Sequence, residues 1–223
     1  MKHLLTRRML AGALMLLGCA AQGQIAVYSF GTAGSPTAGA TSVASNLTAS
    51  VFAGNLGAPA PGGTSPLYSA GSGGGYFAAS SWTGTAPGSN YFEFTLTPDA
   101  GYTFSATSLS FGYRATSTGP TNFAVRSSTD AYASNLASGT ITGDSTWRSS
   151  GTLTITLSGL NTATTFRIWG SGASSSLGTF RVDDVTVHGS VTAVPEPSTY
   201  AAILGAMVLA GAVIRRQRRG RAA

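Results

Sequence analysis

Apolar and polar side chains alternate through much of the middle of this chain, with the period of two that a half-buried β-strand imposes. In residues 91–96, Phe92, Phe94 and Leu96 share one face while Glu93 and Thr95 take the other. Leu109, Phe111 and Tyr113 repeat the pattern with Arg114 outward, and Phe123 with Val125 does so more briefly. Leu153, Ile155 and Leu157 alternate with Thr152, Thr154 and Thr156, and Phe166 and Ile168 oppose Arg167 and Trp169. Residues 25–30 and 75–78 read as two further strands. Turn formers separate the runs at Pro98-Asp99-Ala100-Gly101, Thr118-Gly119-Pro120, Thr142-Gly143-Asp144 and Gly159-Leu160-Asn161. Short strands with one greasy face each, and no amphipathic helical pattern between them, predict an all-β domain: an antiparallel β-sandwich, jelly-roll-like.

One strand breaks its own alternation. In residues 180–187, Phe180 and Val182 have one parity and Val185 and Val187 the other, with Asp183-Asp184 between them. A β-bulge at the two aspartates would return both apolar pairs to the core. Residues 31–74 are dominated by Gly, Ala, Ser, Thr and Pro; part of the stretch reads as a long surface loop, with Leu47, Val51 and Phe52 pinning a segment to the core.

The two ends have a different grammar. Lys2, Arg7 and Arg8 precede an apolar stretch and then Gly18-Cys19-Ala20-Ala21, which is the layout of a secretory signal peptide over 1–23, with cleavage expected between Ala21 and Ile25. Leu16-Leu17-Gly18-Cys19 approximates a lipobox, so lipidation at Cys19 is the alternative to ordinary cleavage. At the other end an apolar run from Tyr200 to Ile214 is followed by Arg215, Arg216, Arg218, Arg219 and Arg221. Its fifteen residues make a helix of about 22 Å against a hydrocarbon core of about 30 Å. Snorkelling arginines and the addition of Ser198 and Thr199 extend its reach, giving an expected transmembrane helix over 199–214 with a cytoplasmic C-terminus. The expected organisation is therefore signal peptide 1–23, exported sandwich 24–192 and C-terminal signal 193–223.

This partition changes the meaning of the net charge of +6. Residues 24–194 hold five arginines against six acids, a net of −1, so the basicity belongs to the targeting ends and no nucleic-acid partner is expected. The same region has no cysteine, which excludes a disulfide framework.

Candidate chemistry is sparse. His188 is the only histidine outside the signal, so neither a Ser-His-Asp triad nor a His-based zinc site can be assembled around it. Glu93 with an aspartate would satisfy the count for a glycoside hydrolase, although its strand neighbours Tyr91 and Thr95 make it a solvated face residue first. Asp183 and Asp184 are candidate Ca²⁺ ligands, or else partners of loop backbone, Arg114 or Arg167. Trp82, Trp147 and Trp169, with Tyr68, Tyr76 and Tyr132, are candidate rings for stacking sugars, Trp82 and Trp169 foremost, against the alternative that the tryptophans cap the rim of the core.

Pro195-Glu196-Pro197, the apolar helix and the arginine cluster, in that order at the chain end, resemble the PEP-CTERM sorting signal of Gram-negative bacteria. The same signature is also catalogued as an ice-binding protein C-terminal domain. The resemblance implies an exosortase as partner, with export across the inner membrane, transient anchoring, processing near Pro195 to Pro197, and a final place at the cell surface or in the extracellular polysaccharide matrix. More weakly, residues 166–169 and 180–187 resemble strands of galactose-binding-like jelly rolls. The expectation from sequence is a non-enzymatic surface or matrix protein, with a carbohydrate-binding module as the alternative and a glycoside hydrolase-like enzyme third.

Overall fold

The computed structural model describes residues 23–32, 35–55, 60–62, 75–83, 90–195 and 197–220. Residues 1–22 of the expected signal peptide 1–23, with Cys19, lie outside the described residues, as do Tyr68, Glu196 and Arg221. The early strands are β1 (Gly23–Tyr28), β2 (Gly31–Thr32), β3 (Ser35–Pro36), β4 (Ser42–Val43), β5 (Leu47–Ala49), β6 (Ala53–Gly54), β7 (Ala60–Gly62) and β8 (Tyr76–Ala79). The later ones are β9 (Tyr91–Pro98), β10 (Tyr102–Ala115), β11 (Asn122–Ser127), β12 (Ala137–Thr140), β13 (Arg148–Ser149), β14 (Leu153–Leu160), β15 (Thr164–Ser171) and β16 (Phe180–Ala193). A helix, α1 (Pro197–Arg219), follows.

Among the described residues the larger sheet runs β13-β10-β16-β1-β4, with β14 on β10 and the β7–β8 ribbon on β16. The smaller sheet runs β12-β11-β15-β9-β5, with β6 also on β9. Their strand pairs are antiparallel. The inner faces meet through rings: Tyr28 lies 5.1 Å from Phe94, Phe111 5.2 Å from Phe123, and Phe77 5.4 Å from Phe92. This is the expected sandwich, and its cohesion comes from aromatic burial, worth about 1.5–3 kcal/mol for each fully buried large side chain.

The alternation predicted these inner faces residue by residue. Phe92, Phe94, Leu96, Leu109, Phe111, Phe123, Val125, Ile155, Phe166 and Ile168 are all buried. The bulge also forms where the parity slipped. Gly112 pairs with Asp183 and Ser110 with Thr186, so Phe111 alone faces both Asp184 and Val185. Phe180, Val182, Val185 and Val187 consequently all reach the core. Asp184 takes the left-handed conformation, φ 47°, that this detour demands.

Two expectations are corrected here. Among the described residues the stretch after β1 contributes short strands to both sheets, and of its three expected anchors Leu47 and Phe52 are buried while Val51 is exposed. The helix forms beyond the expected 199–214, but among the described residues no helix is long and apolar enough to cross a membrane. Its apolar run is diluted by glycine and alanine, and the arginines begin within its last turns.

Candidate functional site

Strands β11, β15 and β9 lie side by side, and their register sets two rows across the sheet. Arg126 pairs with Arg167 and Arg167 with Glu93, while Ala124 pairs with Trp169 and Trp169 with Tyr91. Because their sequence neighbours Phe92, Phe94, Phe123, Val125, Phe166 and Ile168 face the core, these residues face away from it. The Arg167 Nε–H donates to Glu93 Oε2 at 2.9 Å. Its guanidinium carbon sits 3.9 Å from the ring centre of Tyr91 and 4.0 Å from that of Tyr132, a cation held between two aromatic rings. Trp169 meets Tyr91 and Tyr132 edge-on at 5.4 and 5.7 Å, and Arg126 lies 5.8 Å from its ring.

Tyr132 reaches this cluster from a loop with an uncommon backbone. After a turn of 3₁₀ helix at Ser128–Asp130, Ala131 and Tyr132 both adopt positive φ, 55° and 62°. A side-chain-bearing residue in that region costs about 1–2 kcal/mol, so the loop must be held by its surroundings. Tyr132 N–H donates to Ser127 O at 3.0 Å. Arg126 donates from Nη1 to Tyr132 O at 2.6 Å and from Nε to Asn135 Oδ1 at 2.7 Å. The Asp130 carboxylate accepts from the Ala133 and Ser134 N–H groups. Against the opposing effect of desolvation, those hydrogen bonds hold its pKa below the usual aspartate value.

The two foremost tryptophan candidates have opposite fates. Trp82 is fully buried, T-shaped against Phe92 at 4.8 Å and Phe180 at 5.3 Å, with its Nε1–H on Ala79 O at 2.8 Å. It is a core residue, and the stacking role is withdrawn. Gly170 permits this packing, since a Cβ there would stand 2.7 Å from the indole. Trp169 does sit on the outer face, but at 4% exposure it forms the floor of the cluster rather than an open platform.

Asp183 and Asp184 lie on the larger sheet. Asp183 is wholly buried, its Oδ1 accepts the Asp184 N–H at 2.7 Å, and its Oδ2 has no partner among the described residues. Burial, reinforced by the neighbouring carboxylate, raises its pKa to about 7. Neither arginine weighed as a partner is engaged there: Arg167 holds Glu93, and Arg114 Nε donates to Ser145 O. Among the described residues no three His, Cys, Asp or Glu groups gather as metal ligands. A Ca²⁺ ion here would therefore draw on the two aspartates and otherwise on backbone carbonyls and water. Asp184 and His188 instead line a polar groove of about 280 Å³ with Ser110, Ser149, Thr152 and Thr186. Glu93 and the aspartate pair occupy different sheets, so the structure does not bring that carboxylate pairing together.

Sequence reasoning found Tyr91, Glu93, Arg167 and Trp169 as outward residues and Tyr132 as a candidate stacking ring without joining them, and it missed Arg126. The usable signal was parity: Tyr91-x-Glu93 and Arg167-x-Trp169 are the outward positions of two strands that became neighbours.

No protein-family model matches the chain, and no curated protein matches it. Among solved structures it is similar to the K1 cleaved adhesin domain of Lys-gingipain from Porphyromonas gingivalis W83, with 15% identity, 75% of this chain and 97% of that one, and a TM-score of 0.40. It is also similar to a CBM4 structure, with 20% identity, 52% and 70% coverage and a TM-score of 0.33. The CBM22-1–GH10 modules of a Clostridium thermocellum endo-1,4-beta-D-xylanase, solved with xylohexaose, match with 14% identity, 65% of this chain, 27% of that one, and a TM-score of 0.36. Likeness this distant carries no argument about a ligand, and the functional reading rests on the geometry.

Proposed function

We propose that the exported sandwich is a non-catalytic carbohydrate-binding module that grips polysaccharide through the outer face of its smaller sheet. The observation that carries this reading is the convergence of Tyr91, Tyr132 and Trp169 on Arg126 and Arg167 outside the core. Aromatic rings offer apolar faces and edges to the C–H groups of sugars, while guanidinium N–H groups satisfy sugar oxygens. A tyrosine held at positive φ by a network of hydrogen bonds is the kind of strain that accumulates at binding sites. Affinity electrophoresis against a panel of polysaccharides tests the reading. Retardation that is lost in Tyr132→Ala and Arg167→Ala supports it, and free migration of the unaltered protein through every gel contradicts it.

The C-terminal segment supports a second, compatible reading, that of a sorting signal. In α1, Ile203, Leu204, Met207, Val208, Leu209, Val213 and Ile214 are all exposed, and they point around the whole helix rather than along one stripe. Such a helix calls for an apolar environment on every side. We infer that it lies against the inner membrane during export, and that an exosortase processes the chain near Pro195 to Pro197 before release to the surface or matrix. Mass spectrometry of the mature C-terminus decides this: surface-localised protein retaining Arg221 counts against processing.

A further inference from the structure

The cluster offers more hydrogen-bond donors than the described residues accept. Each guanidinium carries five N–H donors and no acceptor. In Arg167 the Nε–H is engaged by Glu93, and in Arg126 the Nε–H and one N–H of Nη1 are engaged by Asn135 and Tyr132 O. Among the described residues neither terminal nitrogen of Arg167, nor Nη2 of Arg126, has an acceptor.

The partners of the two guanidinium groups point the same way. Arg126 and Arg167 share the cluster with Glu93, and the nearby Asp130 carboxylate is bound by the loop N–H groups. The domain's other arginines lie on the larger sheet, where Arg148 pairs with Asp144, Arg114 binds Ser145 O, and Arg181 lies over Tyr76. Rings on both sides of Arg167 strip water from it, which favours a ligand carrying its own negative charge over one offering only hydroxyls. A planar fork flanked by aromatic walls matches a carboxylate bidentately, and the walls receive the sugar ring that bears it.

We infer that the site selects acidic polysaccharide, in which uronic-acid carboxylates bind Arg126 and Arg167 while the sugar rings lie against Tyr91 and Tyr132. This rests on the polysaccharide-binding reading and narrows it to a chemical class.

The test compares the full-length protein on polygalacturonate and on the same polymer after its carboxyl groups are reduced to alcohols. Binding to the acidic polymer that drops about tenfold or more on reduction is the expected result, as loss of a charge-assisted hydrogen-bonded contact requires. Arg167→Lys keeps the charge but loses the fork, and is expected to lose most of that preference while remaining folded by circular dichroism. The C-terminal arginines are present in every variant, so their attraction for a polyanion cancels in the comparison. Polyglutamate, an acidic polymer without sugar rings, is expected to bind Arg167→Lys and the unaltered protein alike.

Equal binding to the acidic and reduced polymers overturns the inference and leaves a neutral-glycan module. Binding to the acidic polymer that Arg167→Lys leaves unchanged places recognition elsewhere and overturns it too. Absence of binding to both forms overturns the acidic inference, and binding to another, neutral polysaccharide in the same assay then shows that the broader reading survives.

Discussion

The outer faces of the two sheets are built from the same alternating strands, yet they handle charge in opposite ways. On the smaller sheet, Glu93 is ion-paired to an arginine that is itself walled by rings. On the larger, Asp183 is sealed from water with one oxygen unpartnered, beside a groove lined by hydroxyls, a carboxylate and an imidazole. One face holds a guanidinium between two aromatic rings with a third ring beneath them. The other has a single guanidinium over one ring, Arg181 on Tyr76, and a buried carboxylate oxygen with no partner among the described residues. Inner-face alternation specifies the sandwich, so the outer positions are free to differ, and function is read from what they bring together.

The sharpest way to break this contrast is to compare the two tryptophans. Trp82→Ala empties a core position and should cost about 3–5 kcal/mol in denaturant unfolding. Trp169→Ala should cost less than Trp82→Ala and instead abolish retardation by polysaccharide. Equal losses of stability with binding retained in Trp169→Ala would erase the distinction between floor and core.

Asp183 comes next. Its folded pKa of about 7 lies above its value of 3.8 in an unfolded chain. The folded state therefore holds the extra proton between roughly pH 4 and 7, so stability is greatest at the acid end of that window and falls as pH rises through it. Asp183→Asn should remove this dependence and be more stable than the unaltered protein at pH 8 by about 2 kcal/mol. Thermal melts across that range check it, and parallel curves for the two proteins would contradict it. Gly170→Ala should cost about 1–3 kcal/mol, because its methyl group meets the buried Trp82 ring.

The smallest effect on stability is expected at the recognition face itself. Tyr132→Gly relieves about 1 kcal/mol of left-handed strain while removing a cation–π contact worth about 0.5–1 kcal/mol. Stability should scarcely move while binding is lost. Loss of both together would mark Tyr132 as a structural prop.

Much of this architecture was legible because alternation is a local signal. The parity slip between Val182 and Val185 revealed the bulge at Asp183-Asp184 without any knowledge of neighbours. Trp82 misled because no alternating run surrounds it, and its burial follows from Phe92, Phe180 and Gly170, which are distant in sequence. Trp169 was placed on the correct side of its strand, but its packing depends on Tyr132. That residue's position follows from a left-handed backbone secured by Arg126 and Asp130, and nothing in residues 128–135 announces it. Strand order was equally hidden, so the row Arg126, Arg167, Glu93 existed only after pairing.

The central claim is that polysaccharide is recognised by the outer face of the smaller sheet. Amide and side-chain NMR shifts of the isotope-labelled protein, titrated with an acidic oligosaccharide, test it most directly. The account predicts shifts concentrated at Tyr91, Arg126, Tyr132, Arg167 and Trp169, with Thr186 and His188 unmoved. Shifts centred on the groove at Asp184, Thr186 and His188, or none anywhere, would contradict it.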